Sequence, residues 1–357
     1  MRGFDFRAPD SLDGVCELLA EYGADAKLLA GGTGLLNLMK QELVQPTVLV
    51  SLQRVPDLDA LTVDSEGVCA GAFVRHRRME ADAAVQRAVP LLAAAYGHVA
   101  TVRIRMCATV GGGLAHADPA MDAPAVWKVL GATMHARSAS GTRQIAAEDF
   151  FEDFYTSVLE PEEVLTEVRA PLPPSGAGWS YQKFLPRSAD DYAAVSVAAL
   201  LALDANGHVE QARVGIGSAA PIPVLAQAVG AALIGQPPTA EAIAAAAELA
   251  RDAVDPLDDL RGSAAIEDIE RVALCIPGVV RVAREQADRY TGALRIKVGP
   301  IALELGGLVT VELLDADACT LRFLGEAKDR RVPGQIKSRA TLIVTTHADG
   351  GSELYLH

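Results

Sequence analysis

The chain reads as an α+β protein of more than one domain, on three observations. Its first sixty residues alternate apolar strand-like runs with helical periodicity. A proline- and glycine-rich stretch, Pro171 to Gly178, interrupts the middle of the chain. Beyond residue 290 the texture changes to short alternating strands at meander spacing, the pattern of an antiparallel sheet and therefore of a separate domain.

Each element follows from a local signal. Ser11 can cap a helix whose apolar positions Leu12, Val15, Cys16, Leu18, Leu19 and Tyr22 keep helical spacing, and Gly23 is a natural stop. Lys27 to Ala30 and Val48 to Leu52 read as buried strands, with a helical turn at Leu35 to Lys40 between them. Val68 to Ala72 is a further strand, and Ala83 to Tyr96 an alanine-rich helix broken at Pro90. Ala123 to Leu130 is a helix with proline in its first turn. Val164 to Val168 closes this region. Tyr192 to Leu203 and Val209 to Gly217 are β-rich, with Asn206-Gly207 as the hairpin turn between them, and Thr239 caps a helix over Ala240 to Val254. Asp255 to Gly262 reads as a loop. Six strands follow, at Leu294–Val298, Ala302–Leu305, Leu308–Leu313, Cys319–Phe323, Gln335–Ala340 and Thr341–Thr345.

Bulk properties narrow the function. Half of the 357 residues are hydrophobic and 22% are charged, enough to bury substantial cores. A net charge of −14 argues against nucleic acid as a partner. The local cluster Arg75-His76-Arg77-Arg78 is either a solvated surface or a docking or phosphate-contact patch. Cys16, Cys69, Cys107, Cys275 and Cys319 form no CxxC, so they suggest neither a zinc site nor an iron–sulfur cluster, and their odd number fits a reducing compartment. With no signal-peptide pattern and no apolar run of membrane-spanning length, the expected location is the cytoplasm.

Two glycine-rich segments carry the chemistry: Leu29-Ala30-Gly31-Gly32-Thr33-Gly34-Leu35, and Ala108-Thr109-Val110-Gly111-Gly112-Gly113 with the polar set that runs to Pro119. Each is read as following a strand-like run. Each then offers backbone N–H groups that no Cβ shields, which suits a pyrophosphate held by main-chain donors. Neither is GxGxxG or a P-loop.

At this point the residues resemble a known family. Phe4-Asp5-Phe6-Arg7-Ala8-Pro9 leading to the first glycine segment, Ile104-Arg105 with Thr109-Val110-Gly111-Gly112 and Ala115 to Ala125, and Tyr181-Gln182-Lys183-Phe184 with Asp190 to Ala199 together resemble the FAD-binding medium subunit of molybdenum hydroxylases. The likeness spans residues 1–263 and is closest to the aerobic carbon monoxide dehydrogenase branch. It implies a two-subdomain FAD-binding module of the PCMH or vanillyl-alcohol-oxidase type over 1–172 (about 1–60 and 61–172), then a small α/β flavoprotein domain over 179–263. It also implies FAD in this chain, with Ala30, Gly31, Gly32, Thr33, Gly34 and Leu35 as the first phosphate cradle and Val110, Gly111, Gly112 and Gly113 as the second. Asp122 would hydrogen-bond the ribityl or ribose hydroxyls, Lys183 would lie close to the cofactor, and Tyr192 would stack near the ring. No catalytic acid, base or metal ligand is expected here. Molybdopterin and [2Fe-2S] clusters would sit in large and small partner subunits, and electrons would leave FAD for a quinone or similar acceptor.

Three departures from the family pattern stand out: Gly113 where asparagine is usual, Cys107-Ala108 where Arg-Gly is usual, and Thr33-Gly34 in place of a His-Ser or Thr-Asp type pair. Residues 264–357 resemble a different family. Ala273 to Val279 with Ile296 to Ile301 is similar to the G-subunit family of carbon monoxide dehydrogenase, a START-like helix-grip fold implicated in membrane attachment or enzyme maturation. The likeness is partial, without the opening strand and closing helix, and implies a partial antiparallel helix-grip sheet. An assembly or membrane-recruitment adaptor at the inner face of the cytoplasmic membrane is therefore the second functional expectation.

Simpler roles accompany several of these residues. His116 could act at the flavin but reads first as a loop histidine bonded to its own backbone, Cys107 reads as a buried small residue rather than a redox thiol, and Glu162-Glu163 and Asp190-Asp191 read as solvated pairs. Asp118 and Asp122 also suit a turn and a helix N-cap, and Tyr192 also suits a core position.

Overall fold

The structure is a computed structural model that describes residues 3–185, 190–256 and six strands between 279 and 356. It divides into two compact units, residues 1–262 and 263–357.

The first unit opens with β1 (Asp5–Arg7), α1 (Leu12–Tyr22), β2 (Ala26–Leu29), α2 (Leu35–Lys40) and β3 (Val48–Ser51), a parallel sheet in the order β1-β3-β2. Ser11 accepts from the Gly14 amide, and Gly23 ends α1 with φ 51°. Val15, Cys16 and Leu19 of α1 pack on Val48 and Val50 of the fully buried β3. This parallel βαβ arrangement leaves the β2–α2 junction, with its glycines, at the carboxyl edge of the sheet.

A five-stranded antiparallel sheet follows, built from β4 (Leu61–Val63), β5 (Val68–Gly71), β6 (Thr133–Ser138), β7 (Gly141–Ala146) and, after the small β8–β9 hairpin (Phe151–Asp153, Thr156–Ser157), β10 (Val164–Ala170) in the order β4-β5-β10-β6-β7. Six helices fill the connection from β5 to β6: α3 (His76–Ala81), α4 (Ala83–Ala88), α5 (Pro90–Gly97), α6 (Val102–Cys107), α7 (Val110–His116) and α8 (Ala123–Val129). Their core centres on Trp127, Tyr96, Leu91, Leu92 and Met134, all fully buried, with Trp127 Nε1 donating to the Tyr96 hydroxyl at 3.0 Å. A further antiparallel sheet is β11 (Gly178–Phe184), β12 (Val195–Leu203), β13 (Val209–Gly217) and β14 (Val224–Leu225), with α9 (Gln227–Leu233) on β13 and α10 (Ala240–Glu248) packed on α9. Gly207 takes φ 82° in the expected hairpin turn, and Thr239 caps α10 by accepting from the Ala242 amide at 3.2 Å.

The second unit is a six-stranded antiparallel meander, β15 (Val279–Gln286), β16 (Arg289–Val298), β17 (Ile301–Asp315), β18 (Thr320–Lys328), β19 (Ile336–Thr346) and β20 (Ser352–Leu356), paired in sequence order. Two expectations are corrected here. The pairs of strands expected at 302–313 and at 335–345 are single long strands, because Gly306-Gly307 and the Ala340–Thr341 junction continue the ladder without a turn. The loop at 257–262, the 273–278 signature, Gly299-Pro300, Cys275 and Cys319 lie outside the described residues.

Candidate functional site

The first glycine segment leaves β2 and enters α2 with Gly32 at φ 70°, a left-handed conformation that favours glycine. A Cβ on Gly31 would collide with the Cys107 carbonyl and lie 2.9 Å from the Ala108 Cα. Among the described residues, the amides of Gly31, Gly32, Thr33, Gly34 and Leu35 have no acceptor, while the carbonyls of Gly32, Thr33 and Gly34 are taken by Leu36, Leu38 and the Asn37 backbone and side chain. The segment is half-buried, so it presents a run of free donors on an accessible backbone. This is the chemistry of a diphosphate cradle.

The second segment corrects the expectation. It follows a helix, α6, rather than a strand, and Val110 to Gly113 form the first turn of α7, capped by Thr109. Its amides are already satisfied: Val110 donates to the Val74 carbonyl at 2.9 Å, Gly111 to Ala72 at 2.8 Å, Gly112 to Thr109 Oγ1 at 3.1 Å and Gly113 to the Thr109 carbonyl at 2.9 Å. A second set of free donors is therefore absent at these four positions. Gly111 and Gly112 serve close packing instead. A Cβ on Gly111 would sit 2.8 Å from the Ala72 Cα, and one on Gly112 2.7 Å from Thr109 Oγ1, with the Ala30 Cβ beyond it at an ordinary 3.5 Å. The second segment thus forms the wall against which the first is held.

Asp122 and Lys183 meet. Lys183 Nζ donates to Asp122 Oδ2 at 3.0 Å and to the His98 carbonyl at 2.9 Å, and the Tyr181 hydroxyl donates to Asp122 Oδ1 at 2.7 Å. Both charged side chains are almost wholly buried. Burial pushes the Asp122 carboxyl up, and Lys183 and Tyr181 pull it back only in part. Asp122 precedes α8 but makes no side-chain cap, so the N-cap expectation gives way to this buried ion pair. Tyr181 and Lys183 stand two residues apart on β11 and so share a strand face, which brings both to Asp122.

Tyr192 is not core. It is half exposed, and its phenol is pushed up to about 12 by partial burial and then by Asp118. His116, in the last turn of α7, makes no bond to its own backbone. Its ring lies against Gly34, with Nε2 at 2.6 Å from where a Cβ would be, and stacks at 5.2 Å on Tyr155. The site therefore runs from the free amides past His116 and Tyr155 to Tyr192 and Asp118.

Other expectations change as well. Cys107 is exposed rather than buried. Glu163 is not simply solvated, because Arg143 binds it at 2.6 Å. The basic cluster is internally tied: Arg75 donates to the Cys107 carbonyl, Arg77 pairs with Glu80 at 2.7 Å and Arg78 donates to the Asp59 carbonyl at 2.6 Å. His76 is buried, with Nε2 at 3.0 Å from the Thr109 carbonyl.

Three family models match the chain in succession. These are the FAD binding domain in molybdopterin dehydrogenase over residues 2–173, the CO dehydrogenase flavoprotein C-terminal domain over 179–266, and the carbon monoxide dehydrogenase G-subunit (CoxG) family over 263–355. The carbon monoxide dehydrogenase medium chain of Hydrogenophaga pseudoflava is 34% identical over 73% of this chain and 90% of its own length. A solved carbon monoxide dehydrogenase from the same organism, one lacking the Mo-pyranopterin moiety of its cofactor, superposes with TM-score 0.72 at 35% identity, covering 77% of this chain and 93% of that one. Quinoline 2-oxidoreductase of Pseudomonas putida 86 gives TM-score 0.69 at 36% identity, covering 76% and 92%. Fold and site thus define an FAD-binding oxidoreductase subunit. The chain belongs to the carbon monoxide dehydrogenase medium-chain family, the flavoprotein subunits of molybdenum hydroxylases, and carries a CoxG-like region after it.

Proposed function

We propose that this chain holds FAD with its diphosphate on the free amides of Gly31 to Leu35 and its isoalloxazine toward Tyr192. It would there relay electrons within a complex containing an iron–sulfur small subunit and a molybdopterin large subunit. The observation that carries this reading is the run of unpartnered amides on a backbone whose glycines a Cβ could not replace at Gly31. Bound FAD would accept electrons singly and release them in pairs. The residues of this chain bind and orient. Gly31 to Leu35 supply donors, Gly111 and Gly112 permit the close wall, and the Asp122–Lys183 pair fixes β11 beside α8. In this reading Asp122, Lys183, Ala30 and Val110 to Gly113 contribute to cofactor binding by shaping its walls, and Tyr192 offers its exposed ring to the flavin.

The substrate belongs to the large subunit, since relatives of similar identity act in complexes named for carbon monoxide and for quinoline. The acceptor is proposed to be a quinone or a similar carrier. Co-expression with candidate small and large subunits tests this: substrate added anaerobically should bleach the flavin absorbance of the complex. A flavin that stays oxidised while the molybdenum centre turns over would contradict the relay role.

The match of residues 263–355 to the CoxG family supports a second role, recruitment of the complex to the inner face of the cytoplasmic membrane. Flotation of the full chain with anionic vesicles, against a chain ending at Gly262, tests it. Equal flotation of the two would remove the proposal.

A further inference from the structure

We propose that His116 completes the cradle, its imidazole donating from Nε2 to an anionic oxygen of the FAD diphosphate. This rests on the diphosphate occupying the Gly31–Leu35 amides, and it adds a residue from the second glycine segment whose own amides are spent.

The placement is built by α7 and the turn after it. Ala117 adopts the left-handed conformation at φ 49°, ψ 35° and ends the helix, so His116 lies in its last turn. The ring then lies on the backbone of Gly34, with Nε2 at 2.6 Å and Cδ2 at 2.8 Å from the position of a Cβ on that residue. Any side chain at position 34 would displace it. Gly34 has an ordinary φ of −87°, so no backbone requirement explains a glycine there, and the imidazole does. Tyr155 backs the ring at 5.2 Å with a tilt of 59°.

Neither ring nitrogen of His116 has a hydrogen-bond partner among the described residues, and the side chain is only half-buried. It therefore has a donor to give. Asp118 is the charged group that acts on it, and Tyr155 is the titratable group stacked on it. Burial lowers the imidazole below its ordinary value while Asp118 opposes that shift, so the ring is mainly neutral at pH 7. An adjacent diphosphate favours the protonated form, which makes binding and proton uptake reinforce one another. FAD affinity should then rise as pH falls through the histidine range.

The test is a titration of the apo full-length protein with FAD, followed by flavin fluorescence from pH 5.5 to 8.5. Wild type should bind more tightly at the acidic end. His116→Ala should weaken binding at pH 7 by about ten-fold and flatten the pH profile. His116→Gln, which keeps a donor but cannot titrate, should recover part of the affinity and none of the pH slope. Gly34→Ala keeps every amide yet pushes the ring away, so it should reproduce His116→Ala in wild type and add nothing in the His116→Ala background. If His116→Ala fails to fold by circular dichroism, His116→Gln and Gly34→Ala carry the test. Wild-type affinity and an unchanged pH profile in these variants would reduce His116 to a packing residue while leaving the FAD site intact. A wild-type protein that binds no FAD at any pH would overturn both this inference and the cradle.

Discussion

His76 and Lys183 show how much of the site's support is buried polarity. Burial pulls the His76 imidazole down to about 4, against an ordinary 6.5, with the Thr109 carbonyl opposing. The folded state thus refuses a proton that the unfolded chain accepts between those two values, and stability falls as pH drops through that window. By linkage the loss is complete below pH 4 and amounts to about 3 kcal/mol. Urea melts at pH 7 and 5 should show the decline in wild type and little of it in His76→Phe. Lys183→Met leaves Asp122 buried without its cation, at a cost of about 3–5 kcal/mol, whereas Asp122→Asn with Lys183→Met should recover most of it. Thermal melts of the two variants check this. Gly113 has room: a Cβ would meet His76 Nε2 at 3.5 Å and Met121 Sδ at 3.7 Å. Gly113→Asn, the residue usual in the family, should therefore fold with an unchanged or slightly raised Tm and bind FAD at least as tightly as wild type. At this scale the sequence revealed residue type but not pairing. Lys183 and Asp122 were both singled out, yet that they neutralise each other depends on β11 reaching the residue just before α8, a long-range contact no local pattern encodes.

The elements α2 and α7 share one glycine-rich chemistry and use it differently. Before α2 the glycines expose donors; in α7 Gly111 lets the helix touch Ala72. Gly111→Val would force a branched side chain into Ala72, at about 1–3 kcal/mol of overpacking. Its Tm should fall along with its FAD content, whereas Gly34→Ala should lose affinity at near-constant Tm. Helices and hairpins with strong caps were legible, such as Ser11, Gly23, Asn206-Gly207 and Thr239. The short edge strands β4, β7 and β9 were not, because two to six residues of mixed polarity carry no period. The helical start of α7 was hidden because three glycines mimic a loop until Thr109 and Ala72 fix them.

Across the molecule, the residues proposed to bind the cofactor all lie in the unit formed by residues 1–262. A chain ending at Gly262 should accordingly bind FAD with the full-length Kd, measured by the same fluorescence titration. The six-stranded sheet of the second unit was legible as meander spacing, since strands paired in sequence order need only local pairing. FAD binding by this chain is read from an absorbance spectrum of the purified full-length protein. The protein should show flavin bands at close to one FAD per chain, retained through gel filtration or restored by added FAD. A colourless protein that takes up no FAD would contradict it.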